Sequence, residues 1–391
     1  MRDCSQYRGV PGASQFPCGN GIEGAEDHGI RGSCAIIFPT MRGRSVTQES
    51  RFLLACQGKA HDTVPVWFMR QAGRYQESYR ALRTRYSMLE LARSPRLMRD
   101  VTVRPVEELG VDAAILFSDI MVPLTGLGLD FDIQENVGPV VRDPIRTAGQ
   151  VAQIPPFRSD LVDYVYEGTQ LTVEALGPIP LIGFAGAPFT LASYLVEGRP
   201  SRTYRATKEM MWNNPAVFQG LLEVLSDMVI EHLRRQAGAG AQALQVFDSW
   251  IGAVGQADYQ RAVLPHMMHI FGALKNLGIP LIYFGVGTQH LLSAMAATGA
   301  TVIGVDWRTH LPEVRHTLGA EVVLMGNLDP ERVVAGTAAA LSGAEEIVKQ
   351  MAGDPRYIFN LGHGVPKETN PEVLRELVSR VHEWGRLGEG S

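Results

Sequence analysis

From residue 47 onward, short apolar runs alternate with long amphipathic stretches. The short runs are 64–68, 113–117, 181–184, 243–247, 281–284, 301–305, 322–325 and 357–359. They are rich in Val, Ile and aromatics and mostly lack a two-residue alternation, which suits strands covered on both faces, as in parallel sheets. The stretches between them read as helices. Thr47 and Ser50 are placed to cap one that carries Phe52, Leu53 and Leu54. Residues 288–298 form another, with Thr288 as N-cap and Gly299 just past the end. Residues 206–237 read as one long helix.

Eight strands alternating with helices predict a single (β/α)8 barrel over residues 41–391; a doubly wound open sheet is the alternative. The residues after each run favour the barrel. Polar or glycine residues come directly after nearly all of them: Arg70, Ser118 and Asp119, Gly186, Asp248 and Ser249, Gly287 and Gln289, Asp306, Asn327 and Asp329, Asn360 and His363. An open sheet gathers its functional residues at one switch point. A barrel gathers all eight strand ends on one rim. After the second run, residues 123–150 hold Asp130 to Ile133 and, past Gly138 and Pro139, Val140 and Val141, which predicts a hairpin beside the mouth.

Residues 1–40 have no clear period and are expected to be a disordered extension, with Met41 a plausible start. Asp3, Glu23, Glu26 and Asp27 argue against a targeting peptide. Composition then removes whole function classes. Among 391 residues the net charge is −5 and no Lys/Arg run occurs, which argues against nucleic acid. No apolar stretch reaches the roughly 20 residues of a membrane helix. The four cysteines, Cys4, Cys18, Cys34 and Cys56, lie near the start and form no disulfide framework, so a reducing, cytoplasmic location is expected.

An acidic chain that takes an acidic ligand must concentrate its positive charge. Arg70 and Arg74 leave the first strand with Gly73 between them, and Arg80, Arg83 and Arg85 follow. Guanidinium forks pair with carboxylates at any working pH. The bland alternative is a helix start facing water, although exposed ion pairs add only about 0–1 kcal/mol and give little reason for such density. Asp119, between Ser118 and Ile120, reads either as a cap or as a half-buried acid that needs a cationic partner. Gly183, Gly186 and Pro188 mark backbone that passes close to something. Tyr194 reads as core or as cleft, and Ser249 lies in no G-x-S-x-G elbow. His363, between Gly362 and Gly364, is free to project into a mouth. His266 and His269 have metal-like spacing but too few companions for zinc, and read as structural.

Five segments together carry a resemblance: FMRQAGRYQESYR from Phe68, FSDIMVPLTGLG from Phe117, GFAGAPFTLASYLVEG from Gly183, FDSWIG from Phe247 and NLGHGVPKETN from Asn360. The chain resembles the uroporphyrinogen decarboxylase family over roughly residues 48–386. That resemblance implies a (β/α)8 barrel, usually a homodimer. It also implies removal of four acetate carboxyls from uroporphyrinogen, giving coproporphyrinogen, with no cofactor and no metal. By motif it implies that Arg70, Gln71, Ala72, Gly73 and Arg74 grip the substrate and that Arg83 contacts it. Asp119 would reach the pyrrole N–H groups as transition-state stabiliser, Arg70 would relay a proton through water, and Tyr194, Ser249 and His363 would line the cleft. The chain departs from the family pattern at Gln76 and Glu77, where Leu-Pro is commoner, and at Pro366 and Lys367. Two rivals remain: a zinc-dependent corrinoid or methionine-type methyltransferase on the same barrel, and a non-catalytic tetrapyrrole-binding protein.

Overall fold

The fold comes from a computed structural model, which describes residues 50–134 and 137–387. The expectations for residues 1–40 and for Thr47 lie outside that range. The apolar runs become strands. They are β1 (Ala114–Ile115), β4 (Leu181–Gly186), β5 (Ala243–Asp248), β6 (Leu281–Gly285), β7 (Val302–Gly304), β8 (Val323–Leu328) and β9 (Tyr357–Leu361). They pair in that order as one seven-stranded parallel sheet. β4, β6, β8 and β9 are buried at every position, which is why the pattern lacks alternation. The predicted hairpin forms too: β2 (Phe131–Gln134) pairs antiparallel with β3 (Gly138–Val141).

The first run, 64–68, behaves differently from expectation. It forms no strand of its own, only an isolated parallel bridge from Val66 to Phe359 of β9. Phe359 N–H donates to Pro65 O at 2.9 Å. On its other side Asp112 N–H donates to Val66 O at 2.8 Å, and Val66 N–H donates to the Asp112 carboxylate at 2.8 Å. A side chain thus takes a place that a ladder carbonyl would hold, and Pro65 has no N–H to offer. The segment therefore lies between β9 and the residues leading into β1, with too few ladder bonds to count as a strand.

The helices that cover the sheet are set by local signals. Pro95–Leu109 starts on Ser94, whose hydroxyl accepts from Leu97 N–H, has proline at its first position, and stops at Gly110 with φ +72°. Two expected helices change. The stretch 206–237 divides into Arg205–Asn213 and Pro215–Gly238, because Pro215 cannot continue the first helix but suits the start of the second. Thr288 does not cap by its side chain; its hydroxyl donates back to Gly285 O, and a 3-10 turn (Gln289–Leu291) precedes a short helix (Leu292–Ala296). Ser50 likewise precedes helix Arg51–Cys56 without a side-chain cap. Among the described residues, no helix is long and apolar enough to cross a membrane.

Gly183 and Gly186 do mark close approach, but to protein. A Cβ on Gly183 would sit 2.6 Å from Gln236 Oε1, and one on Gly186 2.9 Å from Leu191.

Candidate active site

A cleft of about 810 Å³ opens where the strand ends converge. Its wall draws on the segment after 64–68 (Arg70, Ala72, Gly73, Arg74), on the end of β1 (Phe117 to Ile120) and on Phe184 of β4. It continues through Phe247 of β5 with Ser249 and Trp250 beyond it, Val286 after β6, Trp307 after β7, Asp329 to Glu331 after β8, and His363 to Lys367 after β9. Ile133, Gly138 and Pro139 of the hairpin close one side. Of the sequence candidates, Arg70, Ala72, Gly73, Arg74, Asp119, Tyr194, Ser249 and His363 all share this wall.

Arg70 and Arg74 are exposed at the rim. The positive φ of this loop falls on Arg70, at +56°, and not on Gly73. A non-glycine residue there is uncommon and mildly strained, which marks a position worth its strain. Gly73 itself has only ordinary contacts: a Cβ would meet Tyr75 at 3.5 Å.

Two candidates sit elsewhere. Gln71 is 1% exposed; its side chain accepts from Phe68 N–H at 3.3 Å and donates to Ala113 O at 3.3 Å. It is a strut of the loop rather than part of the wall, because its amide is already spent on backbone. Arg83 lies outside the wall as well: its Nε donates to Tyr86 O at 3.2 Å, and it stands beside Tyr79, whose ring does line the cleft. The unusual Gln76 has a clear task. Its Oε1 accepts from Gly73 N–H at 3.2 Å while its amide donates to Glu108 at 2.7 Å, so it pins the loop from below. Pro366 and Lys367 fall in the wall itself, and Val365 N–H ties their loop to Met69 O at 2.9 Å.

Asp119 does not cap a helix: the 3-10 turn that follows, Val122–Leu127, has Met121 at its N-cap and no side-chain bond there. The Asp119 Oδ1 instead accepts from Met121 N–H at 2.9 Å within its own loop, and the positive charge of Arg70 acts on it. Burial pushes its carboxyl above the usual range, while the Met121 N–H and Arg70 pull the other way. His363 is held neutral: burial first, then Arg70 and Arg308, bring its pKa down to about 4. Burial also raises the Tyr194 phenol well above its ordinary value, with Asp119 adding to it.

Sequence reasoning missed the aromatic platform. The Trp250 ring lies 4.0 Å from that of Tyr194 and 5.0 Å from that of Tyr204. It missed Trp307 also, which meets His363 edge-on at 6.4 Å and carries the Arg308 guanidinium 3.8 Å above its ring. Aromatics next to polar strand ends carry no local signal that separates cleft from core. Asp248 marks only a strand end in the sequence. In the fold it is fully buried, accepts from Thr190 Oγ1 at 2.7 Å and from Tyr283 OH at 3.0 Å, and has its pKa pushed up to about 6 by burial. The two helical histidines are structural: His266 pairs with Gln219 at 2.7 Å, and His269 with exposed Asp227 at 3.4 Å. Among the described residues, no three His, Cys, Asp or Glu side chains gather as a metal ligand set.

Comparison with known proteins supplies the context for this cleft. The family model Uroporphyrinogen decarboxylase (URO-D) matches residues 47–384. The uroporphyrinogen decarboxylase of Nocardia farcinica is 49% identical over 340 residues, covering 86% of this chain and 96% of its own. That of Streptomyces avermitilis is 47% identical over 338 residues, covering 86% and 95%. Among solved structures, a methyltransferase from Methanosarcina mazei superposes with a TM-score of 0.74 at 19% identity, covering 86% of this chain and 98% of that one. At that identity the likeness is one of fold.

Proposed function

The chain belongs to the uroporphyrinogen decarboxylase family, and from that premise we propose how its cleft performs the reaction. The activity is a carboxy-lyase step in porphyrin biosynthesis. Four acetate side chains of uroporphyrinogen lose carbon dioxide and become the methyl groups of coproporphyrinogen. Breaking each C–C bond releases an electron pair that needs a sink. Protonating a pyrrole carbon turns the ring into a cation conjugated to the acetate methylene. The pair flows into that ring as carbon dioxide leaves, and an exocyclic methylene remains. Protonation of the methylene and loss of the ring proton then restore the pyrrole, now with a methyl group.

The observation that carries this reading is a half-buried carboxylate, Asp119, on an aromatic wall beneath exposed Arg70 and Arg74. An ionised Asp119 accepts the pyrrole N–H groups and stabilises the cation as it forms, a fixed charge aimed at developing charge. Arg70 and Arg74 pair with the carboxylates and orient the acetate. Arg70 is a poor acid in its own right, so its part in proton delivery is to hold a water. Neutral His363, Tyr194 and Ser249 complete the surround, Gln71 supports the loop from outside the wall, and Arg83 stands beside Tyr79 of the wall. Loop residues 64–68 act as the eighth member that closes the sheet into a barrel, supported by the bonds from Val66 and Pro65 to both neighbours. A homodimer and a cytoplasmic location belong to the same reading; light scattering on purified protein and cell fractionation test them.

Incubation with uroporphyrinogen under reducing conditions, followed by chromatography of the oxidised products, tests the function. The expected result is the series from eight to four carboxyls. Tight binding with no product would make the chain a carrier.

A further inference from the structure

Among the described residues, seven buried side-chain polar atoms have no hydrogen-bond partner, and they belong to His61, Trp67, Ser118, Gln245, Arg315 and Thr369. Ser118 alone of these lines the cleft. Thr369 is the other hydroxyl in this group and lies outside the cleft wall, whereas several buried hydroxyls are satisfied within the fold. Ser193 donates to Phe189 O at 2.8 Å, Ser226 to Leu222 O at 2.6 Å, and Thr102 to Met98 O at 2.7 Å. Those three sit in helices, where the carbonyl four residues back is always in reach. Ser118 follows β1, where the backbone turns toward Asp119, and it has no such carbonyl to use. Its chain neighbours are occupied: Phe117 N–H donates to Thr102 Oγ1, and Asp119 accepts from Met121 N–H.

A hydroxyl shut away from water with nothing to bond destabilises the free protein, and such a group in a native fold calls for an explanation. Its place supplies one. Ser118 is the chain neighbour of the carboxylate assigned to the pyrrole N–H groups, and it shares a wall with Arg70 and Arg74. We propose that Ser118 is a further substrate-binding residue, whose hydroxyl donates to a carboxylate oxygen of the acetate held over Asp119. A serine hydroxyl turns about one bond, so it reaches a ligand that enters beside it without any movement of the backbone. Asp119 and Ser118 then divide the labour. The carboxylate accepts from the ring, and the hydroxyl donates to the ring's own side chain, which fixes which acetate lies in position to react. This inference rests on the decarboxylase reading above.

The test compares Ser118→Ala with the wild-type chain in turnover of uroporphyrinogen and in thermal unfolding without ligand. Removing a hydroxyl that is unpaired in the free protein and paired to a charged group in the complex has opposite effects on the two measurements. The expected result is a kcat/KM about ten- to hundredfold lower, the range for losing a hydrogen bond to a charged group. The Tm of the free variant should equal the wild-type value or exceed it by roughly 1–3 °C. Wild-type-like turnover overturns the proposal. So does a Tm below wild type, since the hydroxyl would then be bonded within the fold. If the wild-type chain itself gives no product, the functional reading fails, and Ser118 is not the cause.

Discussion

The side chain of Arg70 lies on the bare backbone of Gly364. A Cβ placed on Gly364 would come within 2.5 Å of Arg70 Cδ and 2.7 Å of its Cγ. Those atoms are the middle of the side chain rather than its tip, so Arg70 would have to swing away. The glycine after His363 is therefore what lets the first run's arginine stand where it does. Gly362, on the other flank, serves Trp307 in the same way, with a Cβ falling 2.3 Å from Trp307 N. Gly364→Ala is expected to displace Arg70 and lower kcat/KM by about ten- to hundredfold, the usual scale for misplacing a positioning group. Steady-state kinetics and a crystal structure of the variant check this; an unmoved Arg70 with normal turnover would refute it.

Gln71 separates support from contact. Its amide bridges Phe68 N–H and Ala113 O in a fully buried place. Gln71→Ala leaves both groups unpaired and should cost about 1–3 kcal/mol of stability. Urea unfolding measures that directly. A substrate ligand would instead raise KM and leave unfolding unchanged, and that outcome would restore Gln71 to the cleft.

Asp119→Asn keeps the shape and removes the charge. If the carboxylate stabilises a ring cation, kcat should fall by about 10² to 10³ while the fold persists. Single-turnover assays together with substrate-binding measurements separate lost chemistry from lost affinity. Near-normal turnover in this variant would end the electrostatic account.

Asp248 makes a prediction about pH. Burial pushes its carboxyl up to about 6, against the bonds from Thr190 and Tyr283. The folded protein thus holds this proton more tightly than the unfolded chain, whose carboxyl titrates near 3.9. The stability contributed by this group is full below about pH 4 and is lost as pH rises through about 6. A tenfold difference in proton affinity is worth about 1.4 kcal/mol, so the change amounts to no more than about 3 kcal/mol. Asp248→Asn does not titrate. The stability of wild type relative to the variant should therefore decline between pH 4 and pH 7, as read by urea unfolding across that range. A gap that stays constant with pH would show the carboxyl to be ionised throughout.

Much of this site is legible in the chain alone. Apolar runs without alternation mark strands covered on both sides, and polar residues after each run mark a common rim; both are local facts. Arg70, Arg74, Asp119 and His363 emerge that way, because a charge or a glycine-flanked imidazole next to a buried strand has little structural reason to be there. The departures come where contacts between distant segments decide. Gln71 sits between two ligand-like arginines, and only folding turns its amide inward to Ala113, 42 residues away. The positive φ falls on Arg70 rather than Gly73, and the Arg70 side chain packs over Gly364, nearly 300 positions along, a contact no local pattern announces. Trp250 and Trp307 give no sign of which side of the wall they will face.

The family, the succession of strands and the chemical types gathered at the rim are written in the order of residues, since hydrophobic period and residue type are carried by neighbours along the chain. Which of those side chains reach the cleft is settled by folding. Whether a polar group is free for a ligand or spent inside the protein depends on which partners the fold brings within hydrogen-bond distance: Gln71 meets Phe68 N–H and Ala113 O, Asp248 meets the Thr190 and Tyr283 hydroxyls, and Ser118 meets none.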